Sequence, residues 1–591
     1  MTFQQGALLG ILFTLLVLLV WGRWRYDLVA LAALFAASLL GIVPQSELFT
    51  GFGNPATITV VLVLIVSFGL TKSGAVQFVS ALIDPVADRP FLHIAILTFL
   101  AAVLSMFMNN VGALALLMPI AIQSTQKAGR APATVLMPLS FASILGGLVT
   151  LIGTPPNILI ANYRQDVTGE AFTMFSFAPV GGAIALAGII FMLTVGWKLV
   201  KVRKQSAGLE LFDVEKYLFE LKITAESGLL DQSVGELKEQ LSEGKMDLIS
   251  LIHKREKMSV VRRSHRLAEN DLLMLQGSQE DIDQFASNHN LQMLSAENAR
   301  KEILHSEDSQ VSEVVVTASS PIVNLTPREI GFNRKYRVNL LAASRSGTPH
   351  RNRLRDFQIK TGDVLLLHGD VENLQEAIVK IECYPLAKRN IDFGGSTKAL
   401  PAMVVFVLAI LSTAFGLISI QLALGIATVT MGVMNIVPIR EFYKGVDWPV
   451  VVLLGAMIPL GGALETTGTT SLLVDGILSV GGDLSPVVLL ALLLIITMTV
   501  SDVLNNAATA ILMAPIAYNI AVSLDLNPDT FLMAIAVGAS CAFLTPVGHQ
   551  NNALVMGPGG YHFGDYWRMG LPLEIVIVAV SIPMLLIVWP L

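Results

Sequence analysis

Apolar runs that are long enough to cross a bilayer constrain the fold of this chain more than any other feature. A membrane-spanning helix needs about 20 mostly apolar residues. Such runs lie at 5–22, 26–43, 56–71, 132–168, 177–200, 399–416, 419–437, 449–465, 530–548 and 571–590, and two apolar pairs lie at 91–126 and 486–522. Only 14% of the residues are charged, well below the value of about a quarter in soluble proteins. The sequence therefore predicts a polytopic α-helical membrane protein and not a soluble enzyme.

The distribution of charge predicts the orientation and excludes one class of partner. The formal net charge is −6 and the basic residues form no long stripe, so we expect no nucleic-acid partner. No basic residue precedes the first apolar run, whereas Arg23 and Arg25 follow it, which predicts an external N-terminus. Later basic residues fit this orientation except Arg164. Both termini are then external to the plasma membrane, and the polar segment 204–390 is cytoplasmic.

The polar insert contains an internal repeat. Residues 270–277 (Asn-Asp-Leu-Leu-Met-Leu-Gln-Gly) resemble residues 362–369 (Gly-Asp-Val-Leu-Leu-Leu-His-Gly). A tight turn followed by a short apolar strand and an acidic helix start is typical of an α+β unit. We therefore predict two tandem soluble domains, at 204–295 and 296–390.

The two membrane parts repeat each other at a nearly constant offset. Asn109 matches Asn505, and Asn157 matches Asn552 (505 − 109 = 396 and 552 − 157 = 395). Further pairs keep the offset between 393 and 396, and chance matches would not hold one register over a whole half. The sequence therefore predicts two membrane repeats, at 1–203 and 391–591.

The basic residues around one apolar pair predict that the repeats are inverted. Arg89 precedes the pair 91–126 and Lys127 follows it, so both of its ends are expected in the cytoplasm. We interpret this pair as a re-entrant helical hairpin and 486–522 as its external counterpart. Inverted repeats are a plan of secondary transporters, which bind substrate near the membrane midplane. The alternative is that both pairs are ordinary spanning helices.

Polar residues at the hairpin tips are the first candidates for a binding site. A carboxamide is costly in an apolar segment unless it is satisfied. It offers oxygen to a cation and N–H to an anion, and the N-terminus of the following helix also favours an anion. Helix capping alone is the alternative, and it explains one asparagine per tip. The candidates are Ser105, Asn109, Asn110, Ser501, Asp502, Asn505 and Asn506.

A helix break follows each hairpin. Broken helices leave carbonyls unpaired and persist at membrane depth only where they are buried in protein or line a wet cavity. A simple kink is the alternative. In the second break, His549 could donate to an oxyanion, titrate or fill space. The breaks read Gly153-Thr154-Pro155-Pro156-Asn157 and Gly548-His549-Gln550-Asn551-Asn552.

The tips and breaks contain no Lys or Arg. An anion bound there would be neutralised by helix dipoles and co-bound cations, which predicts cation-coupled anion uptake. A neutral solute in a neutral site would leave the same pattern. Asp502 departs from the repeat, because Met106 occupies the matching position. Its carboxylate could bind Na⁺ or exchange protons, or it could face an aqueous vestibule or belong to a structural pair.

With these motifs the membrane part resembles the divalent anion/sodium symporter family of the ion-transporter superfamily. The resemblance rests on the tips, the break at 153–157 and the terminal motif at 559–566 (Gly-Gly-Tyr-His-Phe-Gly-Asp-Tyr). Family members have Ser-Asn-Thr at each tip. This chain keeps the central asparagine as Asn110 and Asn506 and lacks the flanking hydroxyls. The tandem inserted domains resemble the TrkA-C (RCK C-terminal) domain.

The resemblance implies an elevator-type homodimer that couples Na⁺ to a small divalent oxyanion. Sulfate is favoured, because relatives with such inserts resemble sulfate carriers. A Na⁺/dicarboxylate symporter, a cation/proton antiporter and a transport-like sensor are the alternatives. The inserted domains would bind a nucleotide or another small ligand. The basic run Arg351, Arg353 and Arg355 could meet its phosphate, and a solvated surface is the alternative for this run.

The resemblance also implies ligand sets. One Na⁺ site would use Ser105, Asn109, Asn110 and Gly153, and the other would use Ser501, Asn505, Asn506 and Gly548, with Asp502 as a further candidate. The predicted substrate-binding residues are Asn109, Asn110, Val111, Asn505, Asn506, Ala507, Thr154, Pro155, Asn157, His549 and Asn552.

Overall fold

Apolar helices make up the two ends of the chain. The computed structural model describes residues 1–21, 24–73, 83, 86, 88–201, 218–243, 246–253, 256–258, 264–276, 279–293, 309–317, 320–345, 348–350, 354–386, 398–437, 442–443, 445–481 and 484–591. The helices of the first part are α1 (Phe3–Trp21), α2 (Tyr26–Leu39), α3 (Pro55–Lys72), α4 (Pro90–Phe107), α5 (Asn110–Lys127), α6 (Ala133–Gly146), α7 (Pro155–Thr168) and α8 (Ala178–Phe191). A π-helical turn at Met192–Gly196 extends α8.

The second membrane part repeats this order of helices. It follows the soluble insert, and the short helix α17 precedes its hairpin; most residues at the equivalent position of the first part lie outside the described residues. Its helices are α14 (Ala399–Ala414), α15 (Ile420–Val433), α16 (Trp448–Thr466), α17 (Thr469–Gly481), α18 (Pro486–Ser501), α19 (Asn506–Ser523), α20 (Pro528–Ser540), α21 (Gln550–Gly559) and α22 (Tyr566–Val588).

Six helical segments among the described residues are long and apolar enough to cross a membrane. They are Gln45–Thr71, Pro90–Phe107, Ala178–Leu199, Trp448–Thr466, Asn506–Ser523 and Phe563–Val588. Shorter apolar helices accompany them in both parts. The prediction of a polytopic α-helical membrane protein is confirmed.

Helix packing in the membrane unit follows the internal repeat. Helix α4 packs on α6, and the equivalent α18 packs on α20. Between the halves, α2 packs on α16 and α15 packs on α3, which are equivalent contacts under the repeat. The repeat read from the sequence therefore also orders the packing of the helices.

Arg164, the exception to the predicted charge pattern, is neutralised across the two halves. Its guanidinium in α7 donates two hydrogen bonds to Asp529, with Nε at 2.7 Å and Nη2 at 3.0 Å. Asp529 lies in the first turn of α20. The guanidinium also lies 4.7 Å from the centre of the Phe172 ring. A paired and stacked arginine does not act as a free positive charge, so its conflict with the orientation rule is weak.

The soluble unit contains two antiparallel sheets, each flanked by short helices. The first is built from β1 (Leu218–Ile223), β2 (Asp247–His253), β3 (Glu256–Met258), β4 (Leu272–Gln276) and β5 (Leu291–Met293), with helices α9 (Val234–Glu243) and α10 (Gln279–Asn288). The second is built from β6 (Ser309–Val316), β7 (Asn339–Arg345), β8 (Thr348–Pro349), β9 (Val364–Asp370) and β10 (Cys383–Pro385), with helices α11 (Pro327–Ile330), α12 (Phe332–Tyr336) and α13 (Val371–Lys380).

The two sheets have the same topology. Their orders are β3-β2-β4-β1-β5 and, read from the opposite edge, β8-β7-β9-β6-β10. Each has a bulge at the equivalent place, between Leu248 and Ser250 and between Leu340 and Ala342 (340 − 248 = 92). Each encloses its own apolar core. The boundaries at 204–295 and 296–390, and the assignment as TrkA-C-like domains, stay predictions.

An ion pair between a partly exposed arginine and a buried aspartate closes the second sheet. Arg345 at the end of β7 donates to both carboxylate oxygens of Asp363, at 2.8 and 2.7 Å. Lys360 adds a backbone N–H at 2.7 Å. Burial raises the pKa of Asp363 and the hydrogen bonds from Arg345 oppose it. The carboxylate therefore depends on Arg345, because an unpaired buried charge is strongly destabilising.

We expect Arg345→Ala to destabilise the second sheet by about 2–3 kcal/mol, since it leaves Asp363 buried without its partner. The readout is loss of hydrogen-exchange protection in β9 in the full-length protein. Lys380→Ala is the control, because Lys380 and Glu376 form an exposed pair that contributes less than about 0.5 kcal/mol. Equal protection in the two variants would contradict the assigned role of Arg345.

Candidate functional site

The first asparagine of each hairpin tip caps the helix that follows. The Asn109 carboxamide oxygen accepts the Val111 N–H at 3.0 Å, and Asn505 accepts the Ala507 N–H at 2.9 Å. Both residues have extended backbone at the N-cap position of α5 and α19. The expectation that capping accounts for one asparagine per tip is confirmed.

The second asparagine of each tip binds the upstream serine. The Ser105 hydroxyl donates to Oδ1 of Asn110 at 2.7 Å, and the Ser501 hydroxyl donates to Oδ1 of Asn506 at 3.1 Å. Asn110 is buried, whereas Asn506 is partly exposed. Each tip therefore fixes a carboxamide whose orientation is set by a hydroxyl five residues earlier.

The breaks lie earlier in the chain than the sequence predicts. Helix α6 ends at Gly146 and α7 begins at Pro155, so residues 147–154 form the first break. The second break, 541–549, lies between α20 and α21. Pro155 and Asn157 belong to the first turn of α7, where proline is favoured because its missing N–H would have no partner. The prediction that Pro155, Pro156 and Asn157 interrupt the helix is therefore wrong. Of the predicted run, only Gly153 and Thr154 lie within the break.

Asn157 and Asn552 hold the breaks in shape. The Asn157 carboxamide donates to the carbonyls of Gly147, at 3.2 Å, and Thr150, at 2.8 Å. Asn552 donates to the equivalent carbonyls of Ala542, at 3.0 Å, and Thr545, at 3.1 Å. Both asparagines are buried. Their N–H groups satisfy carbonyls that the break frees from helical hydrogen bonding.

A threonine in each break ties it to the adjacent hairpin. The Thr545 hydroxyl donates to the Asp502 carbonyl at 2.6 Å, and the Thr150 hydroxyl donates to the Met106 carbonyl. Both acceptors lie one residue after the tip serine. The sequence reasoning missed these two residues as site components, although their spacing of 395 places Thr150 and Thr545 in the repeat.

The break glycines allow close backbone approach. A Cβ atom on Gly153 would lie 2.5 Å from the carbonyl oxygen of Gly147. On Gly548 it would lie 2.8 Å from the backbone of Asp502. Only glycine fits at such separations. Both glycines, which were predicted as cation-site residues, therefore lie against backbone carbonyls. Gly153 lies against its own break, and Gly548 lies against the adjacent hairpin.

The first turn of α21, directly after the second break, also contacts the first membrane part. Asn551 donates from its carboxamide to the Asn110 carbonyl, at 3.0 Å, and to the Ser143 hydroxyl, at 2.6 Å. Ser140 donates to Asn552 at 2.9 Å. Asn551 is fully buried, and its Oδ1 has no hydrogen-bond partner among the described residues. A buried orphan oxygen is a candidate cation ligand, and the sequence reasoning missed this residue because proline occupies its repeat position.

His549 lies between two N–H donors. Its Nδ1 accepts from the Asn551 N–H at 3.1 Å, and its Nε2 lies 3.2 Å from Nδ2 of Asn110. A neutral imidazole accepts at one ring nitrogen only. Because Nδ1 accepts, Nε2 of His549 carries the proton. Oδ1 of Asn110 binds Ser105, so the Nε2–H of His549 faces the Nδ2–H of Asn110, which is also a donor. An anion oxygen would resolve this arrangement, because it would accept from both groups.

Asp502 pairs with a second acid that the sequence reasoning missed. Its Oδ1 accepts the Leu544 N–H at 2.9 Å. Glu574 in α22 lies beside this carboxyl, and Oδ2 of Asp502 and Oε1 of Glu574 have no hydrogen-bond partner among the described residues. Asp502 is only 3% exposed, so the alternative of an exposed carboxylate in a vestibule is wrong, and the alternative of a paired residue is supported.

The remaining predicted residues lie around these contacts. Val111 and Ala507 occupy the first turns of α5 and α19. Thr154 is the buried N-cap of α7 and makes no side-chain capping bond. Arg351 and Arg353 lie outside the described residues, and so does the side chain of Arg355.

A family model described as citrate transporter, CitMHS, matches residues 16–538 and 489–591. The chain belongs to the citrate transporter family. It is therefore a multi-pass membrane transporter. Of the predicted resemblance to sodium symporters, the family match supports the assignment as a membrane transporter.

Three relatives extend the comparison. An uncharacterized transporter of Synechocystis is 29% identical over 99% of this chain and 97% of its own length. A Chlamydomonas reinhardtii protein, provisionally named a sulfur deprivation response regulator, is 24% identical over 93% of this chain and 96% of its own. Sodium/sulfate cotransporter 2 of the same alga is 24% identical over 55% of this chain and 38% of its own.

We expect Asn552→Ala to destabilise the membrane unit by about 2–4 kcal/mol, because it leaves two break carbonyls and Ser140 without their partner. The readout is the fraction of folded protein that survives heating in detergent, measured by size-exclusion chromatography. Asn519→Ala is the control, since its carboxamide makes one bond within α19. If both variants lose folded protein at the same temperature, Asn552 does not hold the break.

Proposed function

We propose that this transporter couples Na⁺ to the uptake of a small divalent oxyanion, with sulfate favoured. The observation that carries the proposal is the contact between Asn110 of the first hairpin and His549 of the second break. This contact joins the two membrane halves through two uncharged groups, the carboxamide of Asn110 and the imidazole of His549. The names of the sodium/sulfate cotransporter and of the sulfur deprivation regulator support sulfate as the first anion to test.

The charge balance of the site supports Na⁺ coupling. The hydrogen bonds that join tips and breaks among the described residues use carboxamides, hydroxyls, carbonyls and one imidazole. These groups can orient a dianion but supply no full positive charge. Na⁺ would supply it, held by oxygens of Asn110, Asn506 and the break carbonyls, while the N-termini of α5 and α19 would favour the anion.

The wider scheme is part of the same proposal. The hairpins and breaks would form a transport domain that moves as an elevator within a homodimer, and the inserted domains would regulate it by binding a small ligand. The orientation with cytoplasmic inserts and external termini belongs to it as well. The bonds from Thr150 and Thr545 support the elevator, because they tie each hairpin to its break.

A carboxylate substrate is the second candidate. The description of the family as citrate transporters favours it. The tips favour sulfate, because they lack the hydroxyls that hold substrate carboxylates in the divalent anion/sodium symporters that the chain resembles. A sensor role is favoured only by the name of the algal regulator.

Uptake of radiolabelled sulfate into proteoliposomes tests the proposal. We expect uptake to require an inward Na⁺ gradient, to fail with an equal K⁺ gradient and to persist in excess succinate or citrate. Citrate uptake that excludes sulfate would establish the second candidate. Proton movement driven by Na⁺ without any anion would establish an antiporter.

Asn110→Ala and Asn506→Ala test the residues. Each should weaken both Na⁺ and sulfate dependence by about 10-fold or more, because a lost hydrogen bond to a charged ligand costs about 1.5–3 kcal/mol. Asn519→Ala lies outside the site and should transport normally. Normal transport by either tip variant would contradict the assigned binding residues.

A further inference from the structure

The first sheet of the soluble unit carries a cluster of two histidines and an aspartate. His253 ends β2, His265 lies in the connection between β3 and β4, and Asp271 directly precedes β4. One nitrogen or oxygen from each residue lies within 4.8 Å of those from the other two. Nδ1 of His253 is 2.7 Å from Oδ1 of Asp271. The two imidazole rings meet edge to face, with their centres 5.1 Å apart.

The second sheet has a different set of side chains at the equivalent positions. The repeat offset of 92 takes His253 to Arg345, His265 to Phe357 and Asp271 to Asp363 (345 − 253 = 357 − 265 = 363 − 271 = 92). Arg345 binds Asp363 and lies 4.7 Å from the centre of the Phe357 ring. In both sheets the first residue therefore binds the aspartate and contacts the ring of the second residue, but the side chains that do so differ.

The aspartate has the same structural role in both sheets. Oδ2 of Asp271 accepts the Ala268 N–H at 2.9 Å, as Asp363 accepts that of Lys360. An Arg–Phe–Asp set thus suffices to close the turn before the fourth strand. Such a set cannot bind a metal, because arginine has no free acceptor and phenylalanine has no ligand atom. The first sheet has an imidazole at both positions instead.

The imidazole of His265 has a buried nitrogen that Phe357, at the equivalent position of the second sheet, does not have. Nε2 of His265 is buried and makes no hydrogen bond with any residue that the structure describes. A phenylalanine at this position would pack as Phe357 does, without a nitrogen to satisfy. A buried ring nitrogen without a partner, next to a histidine and a carboxylate, is an available metal ligand.

We propose that His253, His265 and Asp271 bind one divalent transition-metal ion of the Zn²⁺ class. Two imidazole nitrogens and a carboxylate oxygen are a ligand set that zinc uses, with bonds of about 2.0–2.2 Å. Tetrahedral ligands at that distance are about 3.4 Å apart, so the cluster contracts slightly when it binds the ion. Three protein ligands leave a fourth position for water. Metal occupancy then links β2 to β4 and gives the first soluble domain an input that the second one lacks.

The decisive variant converts the first sheet to the pattern of the second. His253→Arg combined with His265→Phe keeps the ion pair and the ring contact and removes both nitrogen ligands. Untagged full-length protein in detergent is dialysed against Zn²⁺, and the bound metal is measured by mass spectrometry. We expect one equivalent per chain in the unmodified protein, and affinity at least about 100-fold lower in the double variant.

Two further measurements separate the metal site from a structural role. His350→Ala removes a histidine of the second sheet and should leave Zn²⁺ binding unchanged. Zn²⁺ should also raise hydrogen-exchange protection of β4 in the unmodified protein and not in the double variant. Absence of Zn²⁺ binding in the folded, unmodified protein, or equal binding in the double variant, would overturn the proposal.

Discussion

Backbone that leaves the helix at membrane depth must find its hydrogen-bond partners within the protein, and the membrane unit depends on how it meets this requirement. Residues 147–154 and 541–549 interrupt two apolar helices. At each break, a buried asparagine in the first turn of the following helix satisfies two carbonyls, and a threonine hydroxyl of the break binds the end of the adjacent hairpin. Without these bonds the freed groups would be unsatisfied in a nonpolar medium. The irregular backbone of the candidate site is therefore stabilised by side chains of each break and of the helix that follows it.

The repeat made much of this site predictable. A constant offset identified the tip and break asparagines from the sequence, and the capping role of Asn109 and Asn505 followed from general helix chemistry. The position of the breaks was less predictable, because a proline reads as a helix breaker although it also starts helices. Glu574 could not be found, since no sequence signal links it to Asp502. Asn551 was not predicted for a different reason. Its repeat position in the first half is Pro156, so the repeat did not point to its carboxamide.

The two domains of the soluble unit share a fold and differ in the side chains at a few equivalent positions. The two sheets share strand order, register and bulge position. Their apolar cores are built from equivalent strands. Against that common background, the exchange of Arg345 for His253 and of Phe357 for His265 is visible as a local change. The sequence repeat predicted two related folds, but it could not place the two histidines and the aspartate together, because they approach only when β2 and β4 pair.

The acidic pair of Asp502 and Glu574 has a consequence for the energetics of the transport cycle. If the two halves were identical, exchanging their conformations would regenerate the same molecule viewed from the other side of the bilayer, and the inward-open and outward-open forms would be equally populated without a membrane potential. Met106 stands where the first half would need its aspartate. Under the proposed transport cycle, this mismatch would make the two forms chemically distinct and would give the chain an intrinsic resting side.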